Sequence, residues 1–348
     1  MKRILSALVL CALFVTVYAA GGPEDPLASL SYLNGPFTDG LHTAVDARLN
    51  AASFSTTSVS ASGAWNEVRL KQDDLLLGTA GDGVLFLAGG GQVVYPSGAV
   101  VDVTEGSVIP SGGVLQARHR YLVAEETSAS FQIIGKTAVL DWQGRCTFSL
   151  SGSPDYNAIA AALKTLGLFR GSLTGYGQGF DLEAAPTRLQ ALIMFVRVLG
   201  EESAALSWNG VCPFQDIQPG SQAEKYVGYA YERGYTNGYS TTEFRPSATV
   251  SASQYVEFLL RALGYSSAAN TQISDALERA ESAYVLTPGE TAILQSTDFL
   301  RADLVYVSYY ALDARLADGT QTLGQSLMER NVFDQQARDS AKVSGSRL

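Results

Sequence analysis

One unit is written more than once in this chain, and that constrains the fold more than any single motif. Ala162-Leu-Lys-Thr-Leu-Gly167-Leu-Phe-Arg-Gly171 returns as Tyr229-Ala-Tyr-Glu-Arg-Gly234-Tyr-Thr-Asn-Gly238. Phe180 through Pro186-Thr187-Arg188-Leu189-Gln190 to Arg197-Val-Leu-Gly200 returns as Phe244 through Gln254 to Arg261-Ala-Leu-Gly264. The first copy has the longer glycine loop, residues 171–179, and loops absorb such insertions at little entropic cost. A weaker third copy reads Leu300-Arg301-Ala302-Asp303 and continues to Leu312. Units of this length cannot bury their apolar faces alone, so they imply an array packed unit against unit.

Each unit carries its own punctuation. In the second copy, Ser221 to Gly234 reads as a helix, 234–239 as a glycine loop, Phe244-Arg245-Pro246 as a turn, and Val250 to Gly264 as a longer helix. Ser221 with Glu224, and Ser251 with Gln254, have the spacing of capping boxes. Gly264 stands where a left-handed helix end is needed. Ser151-Gly-Ser-Pro154 reads as a linker, with Ser153 and Pro154 opening the first helix. The units then span 153–200, 207–264 and 271–334. In the third, a helix over 274–285 is broken by Thr287-Pro-Gly289, Asp298 caps the next helix, and a last helix covers 323–331. Residues 335–348 read as a frayed polar tail. Tyr226, Tyr229 and Tyr231, with Tyr306, Tyr309 and Tyr310, suit a helical core with polar tips. Arg197 and Arg261 suit helix C-termini.

Upstream the texture changes. Short β-branched or alternating runs, from Glu67-Val-Arg-Leu70 through Val84-Leu-Phe-Leu87 to Cys146-Thr-Phe-Ser-Leu150, are separated by Gly, Asp, Pro and Ser. That spacing predicts an all-β sandwich or roll over residues 54–150. The fold class expected is therefore α+β multidomain: an N-terminal all-β domain followed by an all-α array of helix-loop-helix repeats. Residues 20–53 form an N-terminal segment with a short amphipathic helix around Leu41, Val45 and Leu49.

The start of the chain reads as a signal peptide, 1–19: basic Lys2-Arg3, an apolar run from Ile4 to Val17, and small residues at Ala19. The run is short for a membrane span, which needs about 20 residues. This predicts export, with no stable membrane insertion after leader removal. The formal net charge of −10 argues against nucleic acid and anionic lipid as partners. Outside the leader the cysteines are Cys146 and Cys212, in different predicted domains; export to an oxidising compartment would permit a bridge, and the sequence leaves their pairing open. With His42 and His119 they make no familiar zinc spacing. Neither histidine has a nucleophile motif beside it, so no catalytic residue is assigned. No cofactor fingerprint appears, and cofactor and metal are both expected to be none.

The motifs Phe214-Gln-Asp216-Ile, Gly234-Tyr-Thr-Asn-Gly238-Tyr239, Phe244-Arg-Pro246, Pro186-Thr-Arg188-Leu-Gln190 and Leu300-Arg301-Ala-Asp303 resemble the S-layer homology module, which usually comes in three tandem copies. The resemblance covers about half of the chain, roughly residues 153–334. It implies grooves for a pyruvylated secondary cell-wall polysaccharide, in a protein of the cell wall or surface layer of a Gram-positive-type bacterium, among surface-layer neighbours. Carried over residue by residue, the binding set is Arg188 with Gln190, Arg301 with Asp303, and Asp216, Gly238 and Tyr239. An arginine in the first turn of a capped helix adds a bidentate fork to free N–H donors. The second copy departs, with Ala252 in the arginine position, which leaves two competent grooves. The leading expectation is a non-catalytic surface protein displaying its β-domain. One alternative is a wall-associated enzyme with its active site in the β-domain. Another is an interaction scaffold that has lost wall binding.

Overall fold

The computed structural model describes residues 64–171, 179–265, 272–343 and 347–348. The leader, the helix around Leu41 and His42 lie outside the described residues. The first part is a sandwich of two antiparallel sheets. Its strands are β1 (Asn66–Lys71), β2 (Leu75–Thr79), β3 (Gly83–Ala88), β4 (Gly91–Val94), β5 (Val100–Asp102) and β6 (Ser107–Ile109). There follow β7 (Gly113–Leu115), β8 (Arg120–Val123), β9 (Ser128–Ile133), β10 (Thr137–Gln143) and β11 (Thr147–Ser149). One sheet has the order β1-β10-β3-β8-β5-β6, and the other β11-β2-β9-β4-β7.

Alternation decides which side chains meet between the sheets. In β9, Ala129, Phe131 and Ile133 point inward while Ser128, Ser130 and Gln132 do not. They join Leu76, Phe86, Val93, Val100, Tyr121 and Leu140 in one core. Each such large apolar side chain contributes about 1.5–3 kcal/mol on burial. Strands β6 and β7 are not foreseen in the sequence. Both are three-residue strands at sheet edges, too short to show a period. Gly89 turns β3 toward β4 at φ +87, and a Cβ there would lie 2.5 Å from the Thr137 carbonyl oxygen.

The second part is helical. Its elements are α1 (Tyr156–Thr165), α2 (Arg188–Val198), α3 (Glu202–Ser207), α4 (Gln222–Glu232) and α5 (Ala252–Ala262). After them come α6 (Ala276–Ser282), α7 (Pro288–Ser296), α8 (Arg301–Ala311), α9 (Leu323–Glu329) and α10 (Gln335–Ser340). The three helices α2, α5 and α8 pack against one another as a central bundle. Phe195 of α2 meets Phe258 of α5 at 5.6 Å between centroids, and the Tyr255 hydroxyl lies 2.6 Å from Ser308 Oγ on α8. Another helix precedes each central one and packs elsewhere: α1 on α8, α4 on α2, and α6 on α5. The helices α1, α4 and α6 thus ring the central bundle.

The caps explain where these helices begin. Thr187 accepts from Gln190 N while Gln190 Oε1 accepts from Thr187 N, and Ser251 with Gln254 repeats the arrangement. Ser221 accepts from Glu224 N, but the Glu224 carboxylate reaches Gly220 N instead of completing the box. Gly264 sits at φ +88, and Tyr265 N donates to Leu260 O, the expected left-handed end.

Several expectations are corrected. Asp155, not Ser153, caps the first helix, because its side chain accepts from Ala158 N. Ser151 to Ser153 is no loose linker, since Ser151 N donates to Asp74 Oδ1 and Ser151 Oγ to Gln72 O. Thr287-Pro288-Gly289 ends nothing; it caps and starts α7, with Pro at a first-turn position where its missing N–H costs little. Asp298 does not cap α8, whose N-cap position is Leu300. The tail is not frayed: α10 forms, Tyr309 Oη donates to Ala341 O, and Arg347 pairs with Glu290. Arg197 and Arg261 do sit in the last turns of α2 and α5, and each also pairs with a carboxylate, Glu202 and the buried Glu257. Cys146 and Cys212 are free thiols.

Sandwich and array touch through specific polar contacts. Lys136, at the β9–β10 turn, donates to Asp303 Oδ2 at 2.6 Å, Thr297 Oγ1 at 2.9 Å and Asp298 O at 3.1 Å. Asn157 Nδ2 on α1 donates to Thr137 Oγ1 at 3.0 Å.

Candidate functional site

The predicted site residues lie where the first turn of a central helix meets the loop of a neighbouring unit. At α2, Arg188 N donates to Ala248 O at 2.8 Å and Leu189 N to Pro246 O at 3.1 Å. At α8, Arg301 N donates to Ala184 O at 2.9 Å and Ala302 N to Leu182 O at 3.0 Å. The two junctions are built alike, Ala248 and Pro246 standing in one loop where Ala184 and Leu182 stand in the other. The first two N–H groups of each arginine-bearing helix are therefore taken by protein carbonyls. The expectation that they are free for an anion is overturned, because docking the neighbouring loop requires them.

The two arginines differ in what their side chains do. Arg188 is 4 % exposed, donates Nε to Phe244 O at 2.8 Å, and lies over the Phe244 ring with Cζ 5.0 Å from its centroid. Burial lowers its pKa, the nearby Arg245 adds to that, and Asp216 and Tyr239 oppose it. Asp216, Gly238 and Tyr239 of the predicted set gather around it. Asp216 accepts from Phe244 N at 2.9 Å and Arg245 N at 2.6 Å, and so holds the Phe-Arg-Pro turn. Gly238 is at φ +78 with the Phe214 ring against it, a place closed to any side chain. Tyr239 is 56 % exposed, but the Arg245 guanidinium covers one ring face at 3.4 Å from the centroid. Arg188 is thus engaged by the Phe244 carbonyl and ring.

Arg301 has one guanidinium nitrogen to spare. Its Nε is buried and has no hydrogen-bond partner among the described residues. It lines a cavity of about 260 Å³ together with Phe169, Arg170, Gln190, Ile193 and Arg197. Burial pulls the Arg301 pKa down and Asp181 is the charge that opposes this. Arg170 and Arg197 are answered by one carboxylate, Glu202, at 2.9 and 2.8 Å. Donation from Tyr226 and Arg197 outweighs the effect of burial and keeps Glu202 ionised below its usual range. A buried guanidinium nitrogen without a partner is a donor that a planar anion can satisfy.

The pairings read from the sequence are partly exchanged. Gln190 does not serve Arg188; it caps α2 and lines the Arg301 cavity instead. Asp303 is 3 % exposed, accepts from Leu300 N, and is held by Lys136, so it is withdrawn from any ligand. Burial pushes its carboxyl pKa up, with Lys136 opposing. Arg170 and Phe169 are not among the sequence candidates, and Arg197 is read there only as a helix C-terminal residue. Only the alignment of the two glycine loops pointed at them, by placing Arg170 opposite Asn237. At the third junction Ala252 opens α5 beside a cavity of about 530 Å³, without an arginine among its lining residues. In the sandwich, His119 Nδ1 lies 2.7 Å from Asp102 Oδ2, while Asp102 Oδ1 accepts from Thr104 N and Glu105 N. That geometry braces the turn from β5 to β6.

Comparison with curated proteins finds no match. Among solved structures, the crystal structure of the coconut allergen cocosin aligns over 31% of this chain and 34% of that one, at 10% identity. The alignment thus spans about a third of that protein, and its TM-score of 0.17 carries no argument. Residues 213–254, from Pro213-Phe214 through α4 and the Phe-Arg-Pro turn into α5, match the family model of the S-layer homology domain. The chain is an S-layer homology domain-containing protein, of a kind associated with the cell surface and cell wall.

Proposed function

We propose that the three helix pairs are three copies of this domain, and that they anchor the protein non-covalently to an anionic, pyruvylated secondary polysaccharide of a Gram-positive-type wall. The reading includes export by the leader, a non-catalytic role, and display of the β-sandwich among surface-layer neighbours. The observation that carries it is the unpaired Arg301 Nε in the cavity between α2 and α8. A ketal-linked pyruvate offers a planar carboxylate on a sugar ring. Arg301 supplies the fork, and Phe169 and Ile193 supply apolar wall. Arg188 contributes less, because its Nε already serves the Phe244 carbonyl. The domain match and the ring of helices around α2, α5 and α8 support the anchoring role.

The test is co-sedimentation of the full chain with isolated walls: intact, acid-stripped of secondary polysaccharide, and chemically depyruvylated. Binding to intact walls only, abolished by Arg301→Ala, is the expected result. Equal sedimentation with all three preparations, or with none, rejects the mechanism.

A further inference from the structure

The third unit departs from the other two in one respect that the anchoring role does not absorb. Where the first two have a glycine loop, it has α7, and the first turn of α7 holds a segment from elsewhere in the chain, Arg347-Leu348.

The seat is built for this segment. Glu290, 2 % exposed, is the acceptor: Arg347 donates Nε to its Oε1 at 2.7 Å and Nη2 to its Oε2 at 2.8 Å. Nη2 also donates to Val285 O at 2.7 Å, and the guanidinium lies over the Tyr310 ring at 5.0 Å. A fork, a ring face and a carbonyl together select arginine over lysine. The residue that follows is read by its backbone. Leu348 N donates to Tyr306 Oη at 2.8 Å, and Leu348 O accepts from Thr287 Oγ1 at 2.6 Å. Gly289 makes room: a Cβ there would lie 3.2 Å from the Leu348 carbonyl carbon, although its φ does not itself demand glycine. The hydrogen bonding of Arg347 to Glu290 outweighs burial and raises the pKa of the guanidinium.

A carboxylate buried like Glu290 needs a cation, and among the described residues Arg347 is the one that bridges it. We infer that the Glu290 cleft is a peptide-binding site for an arginine followed by an aliphatic residue. It is filled here by the chain's own residues 347–348 and is open, by exchange, to the same segment of a second copy. The contacts made in cis and in trans are the same, so the choice between them rests on effective concentration rather than on any new interaction. The partner is therefore another molecule of this protein, joined tail to cleft.

A fluorescent peptide spanning residues 341–348, acetylated and amidated so that its termini carry no charge, is titrated by anisotropy into the full chain carrying Arg347→Ala. Saturable binding is expected, at least tenfold tighter than to the wild type, whose cleft is filled. A peptide with lysine in place of the arginine should bind at least tenfold more weakly. Thermal melting checks that the Arg347→Ala chain is folded. If it is not, the milder Arg347→Lys chain, whose seat is weakened rather than emptied, takes its place. For exchange itself, donor- and acceptor-labelled wild-type chains are mixed at high concentration. Energy transfer that the unlabelled 341–348 peptide competes away is expected. No peptide binding by a folded variant overturns the site. Binding with no competed energy transfer overturns the exchange.

Discussion

Lys136 Nζ lies 2.6 Å from Asp303 Oδ2, with both side chains at most 10 % exposed, and this pair joins the turn between β9 and β10 to the first turn of α8. Removing one partner of a buried pair leaves a charge in a poor solvent. Lys136→Ala should therefore cost about 3–5 kcal/mol, read from urea unfolding of the whole chain. The double variant Lys136→Met, Asp303→Leu should recover most of this, short of about 1 kcal/mol for the lost cap on Leu300 N. A double variant as unstable as the single would show that the pair is not the source.

The two arginines should separate in their effects. Arg188→Ala removes a buried side chain that holds the Phe244 carbonyl and ring, and should cost about 2–4 kcal/mol in stability. Arg301→Ala removes a guanidinium whose Nε has no partner, and should leave the unfolding midpoint within about 0.5 kcal/mol while abolishing wall binding. Equal losses of stability would contradict the distinction.

Acid should unfold the protein through carboxylates held below their ordinary range. At Asp74, burial alone would raise the pKa, but donation from Lys71 and Ser151 outweighs it. Glu202 behaves likewise through Tyr226 and Arg197. The unfolded chain then binds more protons than the folded one as these groups titrate. Their stabilisation is fully present above the unfolded carboxylate pKa of about 4, and is lost as pH falls through the lower folded values. Asp74→Asn should cost about 1–3 kcal/mol at pH 7 and much less at pH 3. A deficit that does not shrink between those pH values would disprove the linkage.

Turn positions with positive φ give a steric test. Gly238→Ala meets the Phe214 ring as well as an unfavourable φ of +78, and should cost about 2–4 kcal/mol. Gly234→Ala, at φ +74 with nothing near the added Cβ, should cost about 1 kcal/mol. Tyr284 occupies the corresponding turn of the third unit at φ +58 and is 88 % exposed, so Tyr284→Gly should stabilise by about 0.5–1 kcal/mol. Thermal unfolding ranks the three, and an inverted order would refute the steric account.

What the sequence by itself determined is local. The strand runs show their period of two, and a side chain three residues along is enough to complete the caps at Thr187 and Ser251. The glycines at 167, 234 and 264 announce left-handed helix ends because only their own backbone is at issue. The repeated units announce an array for the same reason.

The partner of each first turn was decided only by the tertiary structure. Sequence proximity set Gln190 beside Arg188, yet the ring places Gln190 at the Arg301 cavity and gives Arg188 to the loop of the next unit. Asp303 looked like a ligand residue until Lys136, far away in the chain, proved to hold it. Residues 347–348 looked like a free tail until Glu290 claimed Arg347. Capping and alternation act over a few residues, and a chain displays them along its length. The environment of a charge depends on which distant groups come within a few ångströms, and that exists only once the units have closed on one another.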